Sequence, residues 1–207
     1  MLTLDLLIKA WPKGNSKIPG LLEGIVAAAP VTFAKRSITK PLVIAHIMAQ
    51  GSHECGAGTE VIENLNYRAS QLISQWPTHF TPQQALQIQH NPQMIANQAY
   101  NGRMGNRVGS NDGWLYRGRG FSQTTGHDGY AQLGRATSLN LISSPELVNI
   151  PANFLDCGVA DFALCGCIQY AEQDNLYMVT QKLNGGQIGA AQRASWLVLW
   201  KHLLGVT

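Results

Sequence analysis

Charge is scarce in this chain. Of 207 residues, 15 are Lys or Arg and 12 are Asp or Glu, together 13%. The basic residues are scattered with no dense run, which argues against a nucleic-acid surface. Cysteine is scarce as well. Cys55, Cys157, Cys165 and Cys167 form no C-x-x-C pair, so neither a zinc ribbon nor a dithiol motif is indicated, and free, mostly buried thiols are expected. No apolar run reaches membrane-spanning length, because Glu23, Gly24 and Pro30 interrupt the stretch from Leu21 to Ala34. The N-terminal MLTLDLLIKAWPKG carries an acid at position five and no basic segment before its apolar part. It does not read as a secretion signal, so synthesis in the cytoplasm is expected. With no metal-ligand cluster and no phosphate-binding loop, no cofactor is expected.

What the chain does have is apolar mass and punctuation. Hydrophobic residues make up 45%, with 21 glycines and 9 prolines, the composition of a folded domain of short helices joined by many loops. Its length predicts one large domain with two lobes about a cleft. The net charge of +3 is a mild bias that suits a polyanionic substrate.

Helical signals dominate. Leu2 to Trp11 reads as a short amphipathic helix stopped by Pro12 and Gly14, and Gly20 to Ala29 as an apolar segment before Pro30. A third helix is predicted from a Thr39 cap through LVIAHIMAQGSHE. Its apolar face is Leu42, Ala45, Met48 and Ala49, and it ends at Gly56 and Gly58. Between Asn64 and Gly113 the chain is dense in Gln, Asn and Pro and predicts short helices in a smaller lobe. Phe154 to Glu172, Leu176 to Leu183 and Ala190 to Leu204 read as helices again. The expected fold is mostly α, with at most a small β-hairpin.

Three of the twelve carboxylates cluster: Glu54, Glu60 and Glu63. Glu54 falls at the C-terminal end of an apolar helix. The macrodipole is negative there, and an apolar surround would favour the protonated carboxyl a general acid needs. On one continuous helix Glu54 and Glu63 would point to opposite faces. The glycines between them let the chain fold back, so a carboxylate pair flanking a scissile bond becomes available. Spacing alone is met more readily by a locally paired Glu54 and solvated Glu60 and Glu63.

The wider pattern is more specific. AQGSHECGAG followed by ENLNY, AYNGRMGN, DGWLYRGRGFSQTTGHDGY, and LNGG with a trailing Arg193 occur in that order from Lys40 to Arg193. This series resembles glycoside hydrolase family 19, above all its phage endolysin branch. The resemblance implies a lysozyme-like, two-lobed helical domain with a central substrate cleft. It implies a single catalytic domain over 1–207, with a large lobe of 1–63 and 114–207 and a smaller lobe of about 64–113. It implies inverting hydrolysis of a β-1,4 bond between N-acetylated amino sugars, with peptidoglycan glycan strands as substrate. A chitinase on the same scaffold, or a wall-binding module without activity, are the alternatives.

By the same resemblance Glu54 matches the general acid, Glu63 the second glutamate, which helps activate water, and Thr125 the hydroxyl that helps hold that water. Gln123 matches a residue of the sugar site, Asn184 a substrate-contacting asparagine, and Arg193 an arginine that orders the acidic cluster. Arg193 and Arg103 are grouped with the substrate-binding residues. Tyr67, Tyr100, Trp114 and Tyr116 are candidate apolar walls for sugar rings. Arg117 and Arg119 are expected to be buried and paired with Glu63, Glu60 or Asp112. His53 is expected to pack or hydrogen-bond rather than to ligate, and His127 has no assignment. The sequence departs from the pattern at Cys55, where the family has serine, at Ala57, where it has glycine, and at Gly129, where it commonly has an asparagine that contacts substrate. A monomer acting at the cell wall or periplasm is expected, released by a holin if the setting is phage lysis, or held in check by an immunity protein if it is a secreted toxin.

Overall fold

A computed structural model describes residues 1–206. Among the described residues there are twelve α-helices and two short 3-10 turns. Extended pairing among these residues is limited to isolated antiparallel bridges, Ile62 with Arg119 and Arg119 with Thr124. The mostly α expectation is met. The chain forms two compact units. The first is 1–61, 120–123 and 146 onward; the second is 62–119 and 124–145. The second therefore takes in residues 124–145 as well as the 64–113 stretch read as a smaller lobe.

The first unit is built around helix α3 (Pro41–Glu54). It starts from Lys40 rather than Thr39, with Pro41 in the first turn, where a missing N–H is harmless. The sequence suggested one apolar face, yet every residue from Val43 to Ser52 is buried. A helix apolar all round belongs at the centre of a core, and α12 (Ala190–Leu204), α11 (Leu176–Asn184), α10 (Ile168–Ala171) and α9 (Pro151–Leu164) all pack on it. Most of its polar side chains are satisfied, His46 Nδ1 being the buried exception. Trp11 and Trp200 each donate an indole N–H to Ser52 Oγ, at 2.7 and 2.8 Å, and Ser52 donates to the Met48 carbonyl. His46 is fully buried and hydrogen-bonds Asp174, which also pairs with Lys201 of α12. Burial holds the His46 pKa below its ordinary value, only partly opposed by Asp174.

Helix α1 (Leu4–Ala10) is capped by Thr3. Helix α2 (Leu21–Ala34) runs through Pro30 instead of stopping before it. Ile25, Ala29, Thr32 and Phe33 remain buried on one face, and the exposed side of the helix takes the proline. Packing there outweighs the lost backbone bond. Phe121, from the 120–123 segment, sits among Trp11, Phe154 and the bare backbones of two glycines. A Cβ on Gly51 or on Gly158 would lie 2.0 or 2.1 Å from its ring.

The second unit has its own core. Leu65, Leu72, Phe80, Ala85, Ile95 and Ala99 are buried together, supplied by α4 (Ala69–Gln75), α5 (Pro82–Ile88), α6 (Pro92–Tyr100) and, for Leu65 and Phe80, the segments before α4 and α5. Thr81 and Asn91 cap α5 and α6 through their side chains. A single-turn α7 (Asp112–Leu115) and an eleven-residue α8 (His127–Thr137) complete it. The sequence reading did not anticipate α8, because Gly129 and Gly134 lie inside it.

Candidate active site

Glu54 is the last residue of α3. Directly after it Gly56, Ala57 and Gly58 all take positive φ, at 53°, 52° and 85°. This left-handed run ends the helix and explains the family's glycine at position 57. An alanine there carries a steric penalty of about 1–2 kcal/mol that glycine would not. Cys55 stays buried in the core and donates its thiol to the Gly51 carbonyl at 3.0 Å. Burial pushes its pKa up to about 12.

The surround of Glu54 is not the apolar one expected. Its carboxylate pairs with the guanidinium of Arg193, from α12. Arg193 is 1% exposed. It also donates to Gln50 Oε1 and, through Nε, to the Ile188 carbonyl at 3.2 Å. So buried a side chain does not reach a sugar. The grouping of Arg193 with the substrate contacts is therefore corrected: its place is behind the carboxylate, where it orders Glu54. His53, beside Glu54, is half-buried, with Gly189 so close that a Cβ there would lie 2.2 Å from its ring. Burial, then the Arg193 charge, hold the His53 pKa down. Asn184 is exposed at the end of α11. Gln123 has φ +53° and donates its amide N–H to the Glu60 and Gly120 carbonyls at 3.0 and 3.2 Å.

Glu63 belongs to the second unit and is held by neutral donors. Tyr100 donates its hydroxyl to Oε1, and the Gly118 N–H reaches Oε2 at 3.2 Å. The Glu63 N–H in turn donates to the Gly118 carbonyl at 2.9 Å. Burial first, then the Glu63 charge and hydrogen bond, raise the Tyr100 pKa far above the phenol range. Tyr67 is raised by the same two influences, burial and the Glu63 charge. Tyr67 and Tyr100 both meet Trp76 edge-on, at 5.4 and 6.4 Å, and Phe80 adjoins the indole. Trp76 lies in none of the four family-like segments, so no motif points to it.

Other assignments change. Tyr116 is 5% exposed, gives its hydroxyl to the Ile142 carbonyl at 3.0 Å, and packs against His127 and Tyr130. It is a core residue and not a sugar wall. Arg119 is buried as expected. Its guanidinium, however, serves the Leu115 and Arg117 carbonyls and the Tyr130 hydroxyl, at 2.8, 3.3 and 3.1 Å. Arg117 lies 3.6 Å over the Trp114 ring and donates to the Trp114 carbonyl. Burial and the neighbouring Arg119 charge lower its pKa to about 10. The acid Asp112 is claimed by Arg107, whose hydrogen bonds bring its pKa down to about 2. Arg103 is exposed and bonds His79. Thr125 is half-buried, directly after the Arg119–Thr124 bridge. At Gly129 a Cβ would meet only Thr124 Cγ2, at an ordinary 3.6 Å, so sterics do not require glycine there.

Comparison with known proteins gives first a fold and then a family. Chitinase C from Streptomyces griseus HUT6037 superimposes with a TM-score of 0.64 at 19% identity, covering 99% of this chain and 93% of that one. A chitinase C mutant gives 0.63 at 19% identity over 100% and 93%. At that identity the likeness is one of fold: the helical architecture of chitinase C. No family model matches the chain. A glycosyl hydrolase family 19 domain-containing protein of Haemophilus influenzae is 33% identical over 182 residues, covering 86% of this chain and 88% of that protein. The chain belongs to glycosyl hydrolase family 19, and is a glycoside hydrolase.

Proposed function

We propose that this enzyme hydrolyses the β-1,4 bond between N-acetylated amino sugars in the glycan strands of bacterial peptidoglycan, with inversion at the anomeric carbon, in the manner of the endolysin branch. Glu54 protonates the glycosidic oxygen as the bond to the anomeric carbon breaks. Glu63 takes a proton from the attacking water, which Thr125 helps to orient, and the sugar leaves with a new hydroxyl on the opposite face. The observation that supports this reading is that each glutamate is fixed within its own unit: Glu54 by Arg193, and Glu63 by Tyr100 and the Gly118 N–H. Fixed carboxylates are what a positional mechanism needs. Asn184, Gln123 and Arg103 are proposed sugar contacts, with Tyr67 and Trp76 as the aromatic flank. Action at the cell wall, after synthesis in the cytoplasm and release, is part of the same proposal.

Purified sacculi digested with the protein and analysed by mass spectrometry would show which bond is cut, and NMR of fresh product would show its anomeric form. Glu54→Gln should fold and lose at least about two orders of magnitude in rate, the scale of a general acid. A fully active Glu54→Gln would remove the assignment. Chitin cleavage is the second reading, favoured by the fold shared with chitinase C. Release of reducing ends from chitin oligomers with none from sacculi would establish it. Binding to sacculi without soluble product would leave a wall-binding module.

A further inference from the structure

We propose that Gln50 is a positioning residue that lets Glu54 gain and lose its proton while Arg193 stays in place. The inference rests on the proposed role of Glu54. Gln50 lies on α3 four positions before Glu54, on the same helix face. It is 1% exposed, and an amide that deep in a core is unfavourable unless both its ends are used. Both are. Its oxygen accepts from Arg193. Its nitrogen donates to Thr180 Oγ1 of α11 at 3.2 Å, and Thr180 is fully buried. The threonine fixes which way the amide faces. Turned around, Gln50 would present N–H groups to a guanidinium, donor against donor.

Arg193 thus spreads its three nitrogens over three different acceptors: the Ile188 carbonyl, the Gln50 amide and the Glu54 carboxylate. Only the last changes charge during proton transfer. When Glu54 is protonated, a buried guanidinium would be left without an anion, a costly state unless neutral acceptors remain. Gln50 and Ile188 are those acceptors. His53, the neighbouring titratable group, feels the charges of Arg193, Glu54 and Glu60 together. A side chain that served only to fill volume would be replaceable by methionine.

The test follows the Glu54 carboxyl carbon by 13C NMR titration, its resonance assigned by its absence in Glu54→Gln, together with the pH–rate profile. Gln50→Met keeps the shape but removes one acceptor. Arg193 then leans harder on charged Glu54, so the titration midpoint and the basic limb of the profile move to lower pH. The kcat at neutral pH should fall on the order of tenfold, with KM little changed. Gln50→Glu offers Arg193 a second anion, and both features move to higher pH. Thr180→Val shifts them in the Gln50→Met direction, by less. Unchanged midpoints and profiles, with only a lowered melting temperature, would make Gln50 a packing residue and overturn the proposal. Should Gln50→Met fail to fold, the other two variants decide. A fully active Glu54→Gln would undo the role of Glu54 as acid, yet the NMR arm would still report whether Gln50 and Glu54 are coupled.

Discussion

Glu54 and Glu63 are held by opposite kinds of chemistry. Glu54 faces a buried cation, whereas Glu63 receives a phenol hydroxyl and a backbone N–H. A cation partner binds strongly and depends on charge state. Neutral donors fix orientation at lower energy, and the backbone donor cannot be mutated away. In the proposed reaction both carboxyls change proton state at each turnover, but in opposite senses, Glu54 giving up a proton and Glu63 taking one from water, so unlike holders suit unlike tasks.

The difference can be broken from either side. The largest effect should come from Arg193→Leu, which leaves a partly buried Glu54 and a fully buried Gln50 without their cation. Losing one member of a largely buried pair costs about 3–5 kcal/mol, which urea unfolding would read as a lower midpoint, with activity lost in parallel. A wild-type unfolding curve would mean the pair contributes nothing. Tyr100→Phe should be milder. It removes one donor to a charged acceptor, about 1.5–3 kcal/mol, and leaves the Gly118 N–H in place. The fold should persist, and initial rates should drop more than stability does. If Tyr100→Phe proves as damaging to the fold as Arg193→Leu, the contrast between the two holders is wrong. The smallest effect, and of opposite sign, is expected at the turn after Glu54. Ala57→Gly relieves a left-handed alanine and should raise stability by up to about 1 kcal/mol. A lower melting temperature would show that the alanine methyl packs more usefully than its backbone is strained.

Much of this was legible in the sequence where local signals and tertiary packing agree. Ala190 to Leu204 reads as a helix and is one, to the residue. The break at Gly56 and Gly58 was visible because glycine marks left-handed backbone. Legibility fails where the core overrules local preference. Pro30 did not stop α2, since its neighbours bury on the other face. Two glycines hid α8. The stretch from Phe154 to Glu172 splits into α9 and α10 at Cys165 and Gly166, the glycine at φ +69°. Among site residues, motifs located Glu54 and Glu63 but could not say what touches them. Tyr116 lies in a motif and yet is core, whereas Trp76 lies outside every motif and flanks Tyr67 and Tyr100. Gln50 precedes Glu54 by one turn, and its use became visible only once α11 and α12 brought Thr180 and Arg193 to it.

The ring of Phe121, seated against Gly51 and Gly158, bears on how this protein can be evolved in the laboratory. Both glycines are closed to any other amino acid, since even a methyl group would collide with the ring. Position 51 directly follows Gln50, so a library saturating the helix around Glu54 would spend most of its members on unfoldable sequences. Position 129 has room to spare, and diversity introduced there reaches the assay.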